Sequence, residues 1–275
     1  MLLKATGEGC QPCPGWRCDA ARLYVLSAVQ PSPGCSAATL SLRGSVSARS
    51  FRGIAVSRLI DTFLNGEVML RALPMLLRGL VNTFYLAVAA IAFGTVAGIL
   101  ICIGRLYGPK PIRLLAVGFI DIFRALPILV VLIVIYYALP FVGIRLNSFS
   151  SASIALSIVL AAFTAEVFRA GIKSVPSGQF EAADALGLPF WVTLFRVIIP
   201  QAVRIAIPPQ TSNCISIAKD TSLASVVAMP DLLKQATDAQ ALMANPSPLI
   251  AAAGIYLIIL WPLVRLVAYL ERRSG

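Results

Sequence analysis

The chain has 275 residues and is 58% hydrophobic with only 13% charged residues, where a soluble domain carries about 25% charged residues. With a mean hydropathy of +0.85, it reads as a membrane protein. Its net charge of +11 comes from scattered basic residues, which argues against nucleic-acid binding. The absence of histidine removes the commonest general base and metal ligand.

Residues 1–58 hold Gly, Pro, Ser, Arg and Cys without a helical or alternating pattern. No run there has the length and flanks of a signal peptide. The expectation is an extension that is disordered or precedes the true translation start, with the second favoured. Cys10, Cys13, Cys18 and Cys35 fall within it. Their "CQPC" lacks a second pair at ligand spacing and has no His to complete it, so no metal site is expected. Cys102 and Cys214 lie in apolar surroundings, where a thiol behaves as a small hydrophobe.

Order begins at "LIDTFLNGEVMLRALPMLLRGLVNT". Leu70, Leu73, Leu76, Leu77 and Leu80 recur there at helical spacing, which predicts an interfacial helix. Val81 to Gly104 carries no charge and would be roughly 36 Å long as a helix, enough to cross a bilayer with tilt. Within it Gly94 and Gly98 form a small-xxx-small pair suited to close helix contact. Asn82 and Thr83 at its mouth read either as its N-cap or as path-facing groups.

Four more spans come after it. Leu114 to Phe141 is the second, polar at its start where Asp121 and Arg124 have the spacing of an interfacial pair. Phe149 to Gly171 is the third, with Glu166 and Arg169 near its far end. Ile205 to Met229 is the fourth, expected to be broken at Pro208 and Pro209 and unusually polar. Leu249 to Leu270 is the fifth. The fold class is therefore an all-α membrane protein of about five transmembrane helices.

Basic residues fix the expected orientation. Arg105, Lys110, Arg113, Arg169, Lys173, Arg196, Arg204, Arg265, Arg272 and Arg273 lie on one side of this topology, against Arg145, Lys219 and Lys234 on the other. The positive-inside rule puts the first group, with the C-terminus, in the cytoplasm. The basic residues 1–58 would then lie outside, against the rule, a second reason to set them apart from the transmembrane domain at 59–275.

Between spans three and four, "QFEAADALGLPFW" is polar and sharply punctuated. Ser177 is the expected N-cap of a helix over Gly178 to Leu186. Gly187 falls where a left-handed residue ends a helix, and Pro189 opens the next. That second helix places Trp191, Leu194, Phe195 and Ile198 on one stripe until Pro200 interrupts. Glu181 and Asp184 project from one face, and Ala182, Ala183 and Ala185 keep the surface low. Two readings stand: a docking elbow for a soluble protein, or an amphipathic loop on the lipid surface, where acidic residues sit poorly against anionic headgroups.

"EAADALG", followed by Val197, Ile199 and Pro200, resembles the EAA loop of the membrane subunits of ATP-binding cassette importers. "LLRGLVNTFYLAV", "FRALPILVVLIVIYYALP", "AEVFRAGIKSVPSGQFEAADALG" and "KDTSLASV" resemble the polar amino-acid uptake subfamily. The similarity covers roughly residues 60 to 270. It implies a permease with no chemistry of its own and no cofactor, its loop at 173–200 acting as a cytoplasmic coupling helix. Glu181, Ala182, Ala183, Asp184 and Gly187 would then dock onto ATPase subunits. A second permease subunit, an external solute-binding protein and the inner membrane are the other implied partners. Val131 stands where members of the subfamily often carry a Gln, which leaves the choice of solute open.

Ionisable and polar groups inside spans are candidates for function. Glu166 is a pathway candidate, or it simply pairs with Arg169. Asn213 and Ser216 line a path, or they hydrogen-bond between helices. Lys219 and Asp220 read as a paired helix end, with Asp220 or Thr221 capping the next turn. An ATP-independent secondary transporter or channel is the alternative function, although no internal repeat supports it. An intramembrane enzyme is disfavoured because no nucleophile and base can be named, and no catalytic residue is assigned.

Overall fold

The computed structural model describes residues 62–274, so the expectations for residues 1–58, including their four cysteines, lie outside the described residues. Those described are helical, with no strand among them. Four helices are long and apolar enough to cross a bilayer, and a bent pair makes a fifth.

Helix α1 runs unbroken over Gly66–Tyr107. The predicted interfacial helix and first span are therefore one element, continuing through Pro74. Its N-cap is Asn65, whose side chain accepts from the Glu67 and Val68 amides. Asn82 and Thr83 cap nothing in α1. The Asn82 amide donates to the Pro230 carbonyl at 2.8 Å, and Thr83 Oγ1 accepts from the Leu232 amide at 2.9 Å.

The second span is not one rod. Helix α2, Lys110–Ala125, and the segment Ile128–Val142 meet at 107°. Leu126 before Pro127 is extended (φ −81°, ψ 135°), the conformation that a following proline imposes. Beyond the bend come α3, Ile128–Ile133, a π turn over Val134–Ala138 and a 3-10 turn over Leu139–Val142, closed by left-handed Gly143. The expected Asp121–Arg124 pair does not form: Asp121 is exposed, and the Arg124 guanidinium lies over the Phe163 ring at 5.7 Å.

Helix α4, Ser148–Lys173, is the centre of the bundle. Its apolar window is 67% buried, against 28% for α1 and 11% for the last span. Gly94 and Gly98 make the close contact predicted for them. A Cβ on Gly98 would stand 2.5 Å from the Thr164 Cβ, and one on Gly94 2.9 Å from the Leu160 Cβ. Leu86, Ala90, Leu156, Val159 and Leu160 form the main apolar core along this seam.

After the short helix α5, Ser177–Ala185, the fourth span starts much earlier than predicted and is unbroken. It extends over Phe190–Val227 as α6, Phe190–Thr193, a π turn over Leu194–Ile198, helix α7, Ile199–Asp220, and a 3-10 turn over Thr221–Val227. Pro200 does not interrupt it: the π turn over Leu194–Ile198 runs directly into the first turn of α7, where Pro200 lies, a local widening of the kind that accompanies a break in the helical ladder. Pro208 and Pro209 lie inside α7 without ending it, as occurs where neighbouring helices hold a membrane helix in place. Asp220 makes no capping bond and no ion pair with Lys219 is present; Thr221 Oγ1 donates to the Ala218 carbonyl at 2.8 Å instead.

Sequence reading missed helix α8, Leu232–Met243, which packs its Leu232, Ala236 and Ala239 on Ala72 and Leu76 of α1. The Asp231 carboxylate caps it, accepting from the Leu233 and Lys234 amides. Helix α9, Ser247–Ser274, completes the bundle.

Candidate functional site: the elbow and the polar residues of α4 and α7

The elbow sits at the end of the molecule where α1 finishes, since the Tyr107 ring meets Phe190 edge-on with centroids 6.2 Å apart. Ser177 is the first helical residue of α5 rather than its cap. Pro176 holds the cap position without a side-chain bond. Gly187 is left-handed at φ +70°, as its place in the sequence predicted. The Leu188 amide donates to the Ala183 carbonyl at 3.0 Å and the Gly187 amide to that of Asp184 at 2.9 Å. These two bonds are the Schellman pattern, which satisfies the last carbonyls of a helix and reverses the chain.

The elbow is braced from beneath. Phe180 packs on Val175, Leu194, Ile198 and Ala202, and the Gln201 amide donates to Gln179 Oε1 at 3.3 Å. The predicted aromatic stripe divides: Leu194 and Ile198 are buried in this cluster, while Trp191 and Phe195 are each 61% exposed and stacked with centroids 6.1 Å apart. Of the five docking candidates, Glu181, Ala182, Asp184 and Gly187 are exposed, and Ala183 is buried. Ala183 thus seats the helix on the bundle. Leu186, 77% exposed, adds an apolar contact to the outward face that the sequence reading did not single out.

Glu166 lies between α1 and α4. Its carboxylate accepts from Arg105 Nη1 at 2.6 Å and from Arg169 Nε at 3.0 Å, and it also pairs with Arg169 Nη2. The pairing with Arg169 was one of the two readings, whereas Arg105 joins from another helix. This carboxylate shares no bond with Asn213 or Ser216.

Asn213 and Ser216 lie on α7. Ser216 is exposed and bonds only to the Ser212 carbonyl of its own helix, at 3.1 Å; Asn213 is half-buried and makes no hydrogen bond among the described residues. Ile205, Pro209, Ser212, Ser216 and Lys219 form a continuous exposed row at alternating spacings of four and three, one face of a helix. The opposite face packs on α4. A Cβ on Gly171 would stand 2.8 Å from the Ala202 carbonyl, and Gln210 Nε2 donates to Thr164 Oγ1 at 3.0 Å. Gln210 was missed by sequence reading. Its signal was available, since a glutamine in an apolar span, one turn before Cys214, must find a partner.

The sequence matches the family described as binding-protein-dependent transport system inner membrane component over residues 90–275. The chain belongs to that family. It is 37% identical over 202 residues to the L-cystine transport system permease protein TcyB of Bacillus subtilis (strain 168), covering 73% of this chain and 86% of the relative. It is 34% identical over 216 residues to the probable glutamine ABC transporter permease protein GlnM of the same organism, covering 76% and 98%. A solved structure of an amino acid ABC transporter with histidines superposes with a TM-score of 0.71 at 33% identity, over 74% of this chain and 96% of that one. An inward-facing MetNI methionine transporter shares the fold, with a TM-score of 0.60 at 19% identity. This chain is thus a membrane-spanning permease component, and ATP hydrolysis belongs to a separate subunit.

Proposed function

We propose that residues 59–275 form the permease domain of an importer for a polar amino acid or a related small zwitterion, with the loop at 173–200 as its joint to the ATPase. The observation that carries this reading is the elbow itself. A short helix presents Glu181, Ala182, Asp184 and Leu186 outward, ends in a Schellman turn at Gly187, and stands on the first turns of a continuous span. A push on α5 is therefore delivered to the base of α7. The named relatives, a cystine and a glutamine permease, support the class of solute.

The second permease subunit would cover the exposed row of α7, because Ser212, Ser216 and Lys219 cannot face hydrocarbon cheaply. Asn213 and Ser216 then border the path between the two subunits. Glu166, held by two arginines, contributes structure near the elbow rather than a solute contact. We read the C-terminus as cytoplasmic; the basic residues at the elbow end and Arg265, over the Trp261 ring at 5.5 Å, support that reading. An external binding protein would deliver solute at the opposite end, where α8 lies.

The test is co-purification with the ATPase subunits. Glu181→Lys changes an exposed side chain, so stability should move by no more than about 0.5 kcal/mol. Recovery of the ATPase should fall about tenfold or more, as for a central interface contact. Equal recovery from the variant and the parent would overturn the docking role.

A further inference from the structure

At the end opposite the elbow, α1, α7 and α9 leave a cavity of about 530 Å³. Its walls include Val81, Phe84, Val88 and Ile91 of α1 and Leu260 and Leu263 of α9. The polar groups of the lining are Thr83 and Tyr256 toward one end and the exposed Tyr85 at the rim. Thr83 Oγ1 is engaged with Leu232. The buried Tyr256 hydroxyl turns toward Thr83 and Thr221 without a hydrogen bond of normal geometry. From Leu80 to Ile91 the groove descends roughly 16 Å along α1, about half of a 30 Å hydrocarbon core. It is one leaflet deep.

Shape limits the occupant. Over that depth, the 530 Å³ amounts to a mean cross-section of roughly 33 Å² over about 11 residues of helix rise, room for a hydrocarbon chain laid lengthwise. Charge limits it further. Arg78 stands one turn before Val81 and two before Tyr85, at the rim of the groove rather than in its lining; it is exposed and makes none of the ion pairs among the described residues. It lies just beyond the uncharged stretch that opens at Val81, at the level of lipid headgroups.

We propose that this groove is a binding site for one glycerophospholipid, an acyl chain lying between α1 and α9 and the phosphate held by the Arg78 guanidinium. The fork of N–H donors suits two phosphate oxygens at once. The chain fills apolar space that would otherwise lack contacts on one side. The inference rests on the membrane-spanning fold alone and is independent of the solute and of ATPase docking.

Native mass spectrometry of the complete complex in detergent, supplied with phosphatidylglycerol or with a diacylglycerol of the same chains, tests it. The parent should retain phosphatidylglycerol and not diacylglycerol. Arg78→Gln should weaken retention about fivefold, the effect of one basic contact to an anionic headgroup, and Val88→Trp should abolish it by filling the groove. Arg78 is exposed, so that variant reads the site even if Val88→Trp fails to assemble. Equal retention in Arg78→Gln, or equal retention of the two lipids, overturns the proposal. So does a disulfide formed in the membrane between Val88→Cys subunits, which would place a second copy on the groove.

Discussion

Helices α4 and α7 cross the same membrane side by side, yet they treat polar groups in opposite ways. In the second half of α4 such groups are turned inward and answered from other elements or the same helix: Thr164 by Gln210, and Glu166 by Arg105 and Arg169. In α7 the bond to α4 is made by Gln210, whereas Ser216 bonds only within its own helix and the row from Pro209 through Ser212 and Ser216 to Lys219 is exposed. On the proposed reading, the difference separates a fixed element from one that a second subunit completes. On the same reading, the elbow joins the helix that carries this exposed row.

The contrast is broken most severely at the α1–α4 seam. Gly98→Val would drive methyl groups into Thr164 and the Ala161 carbonyl, which a Cβ alone would already approach to 2.5 and 2.8 Å. Backbone cannot yield there, so the loss should reach about 3 kcal/mol or more, read as the detergent unfolding midpoint of the purified complex. The same change at Gly254, where a Cβ meets nothing within 4 Å, should be mild.

Next in size is Glu166→Gln. It leaves Arg105 and Arg169, about one-fifth exposed, without their carboxylate. Removing one partner of a buried pair costs about 3–5 kcal/mol, reduced here by exposure to about 2 kcal/mol. The unfolding midpoint should fall, and Arg105→Met combined with Glu166→Gln should recover part of the loss. No recovery would mean that the arginines do not depend on this carboxylate.

A smaller effect concerns Asp231, which caps α8. Burial pushes its carboxyl up from 3.8 to about 6, opposed by the amides of Lys234 and Leu233. A raised folded-state pKa means that the folded protein binds the proton more tightly than the unfolded chain. The contribution is therefore full below about pH 4 and lost as pH rises through about 6. Asp231→Asn should flatten that part of the profile of unfolding midpoint against pH. An unchanged profile would show that another group titrates there.

Legibility in the sequence followed the physics of each element. The elbow was readable because Gly187 and Pro189 act through local backbone preference, and the Gly94–Gly98 contact because small residues four apart have one use in a membrane helix. Span two was read as straight because hydropathy averages over backbone direction. The signal it overrode was Pro127, which forced Leu126 out of the helix. The opposite error came at Pro208 and Pro209, where a proline rule from water was applied to a helix held by its neighbours. Asn82 and Thr83 were misassigned since their partners, Pro230 and Leu232, lie about 150 positions away in sequence. Helix α8 escaped because it is too short and polar to register as a span, although Asp231 before an apolar pair is a legible cap.

The central claim, that force enters at the elbow to move solute, is tested most directly by ATP-driven uptake of a panel of radiolabelled amino acids. The complex would be reconstituted in vesicles, with the parent run beside Glu181→Lys and Gly187→Asp. The account predicts uptake of one class of polar amino acid that requires ATP and collapses in both variants while the subunit remains inserted. Uptake without ATP, or uptake undisturbed by both substitutions, would contradict it.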